Sequence, residues 1–192
     1  ASSRYQPDFA EGLHKTGVGG SKSDVAGQRH RAHAIRFGLD PGVVSLCRLC
    51  WCLWLAGYPE QARARLDEML TVTRNRAHPH SSTMALHFAA TFHQLRRETG
   101  PVHGLTEDTL AMAIEHGLPQ WQSAARFLRG WALTTRGQTA DGLTQMQQGL
   151  ASYRATGALL DMPWYLGLLA SVHGGAGHTD EGIRVIGEAI AA

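Results

Sequence analysis

The amino-acid sequence predicts an all-α fold, an α-α superhelix of four helix pairs with a period of about 40 residues. Three observations predict it. Gly57, Arg97, Gly137 and Gly177 stand forty residues apart, and each closes an apolar stretch where a left-handed turn would end a helix. Small residues keep the same register: Cys50, Ala90, Gly130 and Ala170 before the turn, Ala62, Val102, Gly142 and Gly182 after it. No segment shows the period-two alternation of a half-buried strand.

The elements follow in order. Helix pairs are expected at about 42–56 with 59–76, 80–97 with 101–116, 119–136 with 139–155, and 163–176 with 179–191. Asp40 before Pro41 reads as an N-cap followed by a first-turn proline. Pro79, Pro119 and Pro163 open later helices in the same way. Thr139 and Thr179 precede helices, and Asp141, Asp180 and Glu181 favour their positive ends. The small residues mark where the two helices of a pair cross closely. Leu70, Leu110, Leu150 and Ile190 are expected to fill the layer between successive pairs. The second pair departs most, with Arg97 at the turn and Thr106 and Thr109 at apolar positions. Residues 1–27 read as an N-terminal extension or cap with a flexible Gly17–Ser23 linker, and residues 28–192 as the repeat domain.

A small residue, a glycine turn and a second small residue also organise the tetratricopeptide repeat, whose period is 34 residues. These are therefore tetratricopeptide-like helix pairs, with the extra length in the helices and connections. A wider likeness rests on Gln28-Arg29-His30-Arg31-Ala32-His33-Ala34, Leu39-Asp40-Pro41-Gly42-Val43-Val44 and Trp54-Leu55-Ala56-Gly57-Tyr58-Pro59-Glu60-Gln61-Ala62, with His93 to Glu98 and Leu128 to Leu133. Over residues 28–192 the chain resembles the C-terminal tetratricopeptide-like region of large bacterial signalling proteins, predicted adenylate/guanylate cyclases or ATPases. The resemblance implies a regulatory role. The catalytic domains of those proteins would lie outside this chain.

Composition excludes several function classes. The 192 residues carry a formal charge of +2 and no polybasic run, which gives no support to nucleic-acid or membrane-surface binding. The apolar stretches are short and interrupted, so none would span a bilayer. The N-terminus lacks a signal-peptide layout, and its start at Ala1 suggests a fragment or a processed chain. Cys47, Cys50 and Cys52 form no disulfide framework and suit a reducing, cytoplasmic setting.

Candidate chemistry is sparse. Gly17 to Ser23 superficially resembles a phosphate loop, but Ser21 and Thr16 stand where the motif needs glycine and no strand precedes it. Cys47 and Cys50 share a helix face while Cys52 points away, so small apolar packing explains them better than a metal site. The histidine pairs His30/His33 and His78/His80 lack the glutamate of a metalloprotease helix. No nucleophile motif is present, so no catalytic residue, metal ligand or cofactor is expected.

In tetratricopeptide-like stacks the first helix of each pair, helix A, lines a concave groove. The register puts Cys47, Trp51 and Trp54 there from the first pair, and His87, Thr91 and Gln94 from the second. The third contributes Phe127, Trp131 and Thr134, and the fourth Trp164 and Ser171. The candidate groove is Trp51, Trp54, His87, Thr91, Gln94, Phe127, Trp131 and Trp164; the same aromatics fit a core role equally well. Arg96, Arg97, Arg126 and Arg129 offer carboxylate recognition or simply a solvated face. The functional expectation is a non-catalytic protein-interaction scaffold that binds a protein, a peptide or another copy of itself. A sensor for a small apolar ligand is the alternative, and an enzyme with an unrecognised site the remote one.

Overall fold

The computed structural model describes residues 38–76 and 78–191, without the side chains of residues 75 and 76. The expectations for the extension, the Gly17–Ser23 linker and the His30/His33 pair lie outside the described residues. Eight helices appear, and no strand is present among the described residues. They are α1 (Pro41–Leu55), α2 (Pro59–Arg76), α3 (Pro79–Leu95), α4 (Thr99–Glu115), α5 (Pro119–Thr134), α6 (Thr139–Ala155), α7 (Met162–Gly175) and α8 (Thr179–Ala191). The chain divides into two compact units, with the division between Phe88 and Ala89 of α3.

The turn inside each pair is built the same way four times. Gly57, Gly137 and Gly177 have φ of 83°, 84° and 81°, and Arg97 takes the same left-handed conformation at 59°. The residue after each turns back onto its helix. Tyr58 N–H donates to Leu53 O at 2.9 Å, Glu98 to His93 O at 2.9 Å, Gln138 to Leu133 O at 3.1 Å and His178 to His173 O at 2.9 Å. Carbonyls that a helix end leaves open are thereby satisfied. A second forty-residue series, not read from the sequence, closes the second helices: Gly117 and Gly157 have φ of 63° and 77°.

Helix starts follow local chemistry. The Asp40 carboxylate accepts from Gly42 N–H at 2.8 Å and Val43 N–H at 3.4 Å, as expected of an N-cap. Pro79 and Pro119 are first helical residues and Pro163 is a second. Thr139 is the first residue of α6 rather than its cap; Gln138 occupies the cap and its side chain makes no capping bond. Thr179 is likewise the first residue of α8.

In the first unit α1 packs on α2. Val43, Cys47 and Cys50 meet a face carrying Ala62, Leu66, Met69 and Leu70, all buried. In the second unit the tightest crossing is α5 on α6. A Cβ added to Gly130 would lie 2.6 Å from Gly142 O, and one added to Gly149 would lie 2.7 Å from Phe127 N. These glycines let two backbones touch. Gly182 makes the corresponding approach in the last pair more loosely, 3.2 Å from Ala170 O. All eight small register positions are buried.

The aliphatic layer holds only in part. Leu70 and Leu150 are buried and Leu110 is half-buried, but Ile190 is 84% exposed. The expectation that Ile190 fills a layer between pairs is corrected: no described helix follows α8 to cover it. Thr106 and Thr109 are buried despite their hydroxyls, which donate to His103 O at 2.9 Å and Leu105 O at 2.6 Å.

Candidate functional site

The eight groove candidates divide by exposure. His87, Thr91, Gln94, Phe127 and Trp131 are buried, while Trp51, Trp54 and Trp164 are half-buried. Of the other groove-register positions, Cys47 is buried, Thr134 half-buried and Ser171 exposed.

Within the first unit, the Trp51 ring lies 4.9 Å from that of buried Phe88, tilted by 34°. The Arg48 guanidinium sits 5.2 Å above the Phe88 ring, a cation–π contact on the same aromatic. His87 meets Phe88 edge-on at 6.2 Å. Burial lowers the His87 pKa to about 4, so the ring is neutral near neutrality.

Within the second unit, Phe127 meets Tyr165 at 4.7 Å, Tyr153 meets Tyr165 at 5.0 Å, and Trp164 lies 5.0 Å from Tyr165. Phe127, Tyr153 and Tyr165 are fully enclosed, so α5, α6 and α7 share one aromatic cluster. Trp164 is its half-buried member. The Tyr153 hydroxyl donates to Asp161 at 3.3 Å and lies 3.5 Å from the Gln120 amide, tying the start of α5 to the start of α7. Burial first, then the Asp161 charge, raises the Tyr153 pKa to about 12.

The four arginines do different things. Arg96 donates to Glu98 at 2.8 Å, and His93 shares that carboxylate at 2.6 Å. Burial alone would raise the Glu98 pKa, but these hydrogen bonds outweigh it and hold the carboxyl below its ordinary value. Arg129 lies 3.7 Å from Glu107. Arg97 and Arg126 are exposed.

The reactive side chains are quiet. Cys47 and Cys50 are buried thiols whose pKa values burial raises to about 12 and about 11. They remain protonated and poorly nucleophilic near neutrality. The Cys47 thiol lies 3.1 Å from the Met69 sulfur. His78 contacts the Ser81 hydroxyl at 2.9 Å through Nδ1, and that hydroxyl accepts from Asp40 N–H at 2.8 Å, so this histidine helps set the start of α3. No group of three or more His, Cys, Asp and Glu side chains is placed to hold a metal ion among the described residues.

Two hollows in the second unit escaped the sequence reading. One, of about 390 Å³, is lined by Arg154, Leu159, Met162, Leu166, Glu188 and Ala191. The other, of about 260 Å³, runs between α6 and α8 beside Leu150, Leu166 and Leu169. Arg154 pairs with Glu188 at 2.9 Å along both. The adjacent exposed Leu159 and Leu160 after a turn glycine were the available signal.

Comparison with known proteins agrees with the repeat. The tetratricopeptide repeat pattern matches residues 43–68, within α1 and α2. An uncharacterized protein of Rhizobium meliloti (strain 1021) is 29% identical over 187 residues, 95% of this chain. The chain spans 18% of that protein's length. No solved structure matches. The chain is an all-α repeat protein of tetratricopeptide-like helix pairs. No helix among the described residues is long and apolar enough to cross a membrane.

Proposed function

We propose that this chain is a non-catalytic interaction scaffold that recognises a protein or peptide through tryptophans of its A helices. One observation carries the reading: Trp51 and Trp164 are each half-buried and each lies against a buried aromatic, Phe88 and Tyr165. An aromatic held from behind loses little freedom on binding, which is how interface anchors are built. Trp54, half-buried on the same helix as Trp51, extends that surface in the first unit. The five buried candidates offer little contact area.

The scaffold reading extends to a regulatory role in the cytoplasm, as one part of a longer bacterial signalling protein. The resemblance over residues 28–192 and the small share of the Rhizobium relative that the chain spans support this extension. Selection from a displayed peptide library tests the recognition. Enriched peptides are expected to lose at least about 10-fold in affinity with Trp51→Ala or Trp164→Ala, the scale of one interface anchor. Peptides that bind both variants as well as the parent would refute it.

A second reading is favoured by the hollow of about 390 Å³ at Leu159, Met162 and Leu166, whose volume suits a small ligand with an apolar body. Native mass spectrometry of the purified chain should then show a retained small molecule, lost on Met162→Trp.

A further inference from the structure

The turn that closes the last helix pair brings two histidines together. His173, in the last turn of α7, is 4% exposed, and its ring lies 5.8 Å from that of exposed His178, tilted by 48°. The backbone fixes the pair, since His178 N–H donates to His173 O at 2.9 Å. Both ring nitrogens of His173 are shut off from solvent, and neither has a hydrogen-bond partner among the described residues. A neutral imidazole holds one donor and one acceptor, so leaving both unmet is costly.

The other pairs show that the turn does not impose this cost. The residues corresponding to His173 and His178 are Leu53 and Tyr58, His93 and Glu98, and Leu133 and Gln138. Leucine serves at the first position in two of the four pairs. Where the second pair has a histidine, it meets a carboxylate: His93 Nδ1 contacts Glu98 at 2.6 Å. Side chains at these two positions therefore reach one another through a ring nitrogen. In the last pair both are imidazoles, and His173 gains no hydrogen bond from its partner.

Two imidazoles can instead share a cation. On a tetrahedral zinc ion, with Zn–N of about 2.0–2.1 Å, their centroids would stand roughly 5 Å apart. The observed 5.8 Å is close to that. Burial lowers the His173 pKa, which favours the neutral ring that a metal requires. The nearby Glu181 carboxylate favours positive charge at His173 and is itself held by Arg184 at 2.6 Å. Exposed His178 gives an ion access from solvent.

We propose that His173 and His178 form a two-histidine site for a divalent transition metal ion of the zinc class, with solvent completing the coordination. No third His, Cys, Asp or Glu is placed to complete the set among the described residues, so the site suits an exchangeable ion. Bound metal ties the end of α7 to the start of α8. The proposal uses none of the tryptophans of the scaffold reading, so either can fail alone.

Zinc titration of the full chain, followed through the imidazole nitrogen resonances, tests it. Zinc up to about 1 mM, a range that covers weak binding, should shift His173 and His178 together and saturably. His116, exposed after α4, should not move with them. His178→Gln, at an exposed position, should weaken binding at His173 by at least about 10-fold. His173→Leu should abolish the response of His178, and zinc should raise the Tm of the parent but not of this variant. Unaltered circular dichroism would show that both variants fold. Resonances indifferent to zinc, or a shift at His173 that survives His178→Gln, would overturn the proposal. Shifts that follow pH alone would also overturn it, by showing that the rings share only a proton.

Discussion

Gly149→Ala places one methyl group at the tightest crossing among the described helices and should destabilise the chain. The added Cβ would lie 2.7 Å from Phe127 N, 2.9 Å from Ser123 O and 3.0 Å from Phe127 Cα. All three neighbours are backbone, so no side-chain rotation relieves the contact. Restoring an ordinary separation of 3.4 Å requires α5 and α6 to part by about 0.7 Å. A gap of that size forfeits roughly a quarter to a half of each contact's dispersion energy along the seam. The side chains involved, Phe127, Leu128, Met146 and Leu150, are all buried. Overpacking of this kind costs about 1–3 kcal/mol, and loosening the seam brings the total to roughly 3–4 kcal/mol. The helix-propensity gain of alanine over glycine offsets about 1 kcal/mol of that. The net expectation is a loss of about 2–3 kcal/mol, or a fall in Tm of roughly 4–12 °C for a chain of this size. Thermal and urea unfolding followed by circular dichroism measures it. Gly104→Ala is the matched control, since Gly104 is an exposed residue of α4 whose added Cβ meets nothing within 4 Å. It should raise stability by about 0.5–1 kcal/mol. A neutral or stabilising Gly149→Ala would refute the inference that backbone contact, rather than chance, retains glycine at the crossing.

Three further outcomes are expected. Arg97→Gly should stabilise the chain by about 0.5–1 kcal/mol, because φ at Arg97 is 59° and only glycine adopts that conformation without penalty; Tm comparison with the parent checks it. His87, with its folded pKa lowered to about 4, binds fewer protons folded than unfolded between that value and its ordinary range. Its contribution should be complete above about pH 6.5 and fall through pH 4, by up to about 3 kcal/mol. Burial lowers the His80 and His173 pKa values too, so they act in the same direction. Urea midpoints across that range should flatten in His87→Leu, and an unchanged slope would exclude His87 as the main contributor. Finally, Ellman's reagent should react rapidly with one thiol in the native chain and with all three after denaturation, because Cys52 is exposed while Cys47 and Cys50 are buried. Cys52→Ser should abolish the native reaction.

Much of the architecture was legible because its determinants are local. A left-handed turn favours glycine two or three residues past the helix end, and a cap needs a carboxylate at Asp40 within reach of Gly42 and Val43. Such signals lie within a few residues of what they control, so they survive in one dimension. Arg97 shows the register is stronger than its usual residue, since the turn forms there with the same backbone bonds. Close crossing at Gly130 and Gly142 was also legible, because both fall on the forty-residue register of small residues.

The functional surface was less legible, since helical periodicity assigns a side chain to a face without naming what covers that face. Phe127 and Trp164 both read as groove aromatics, yet Tyr165 and its neighbours enclose the first and leave the second half-buried. Leu150 and Ile190 hold the same register position with nearly the same chemistry, and one is buried while the other is 84% exposed. The sequence by itself determined where the helices begin, end and cross, because those choices depend on backbone conformation and side-chain size at single positions. Only the tertiary structure decided which apolar residues are core and which are surface, because burial depends on whether another helix lies alongside.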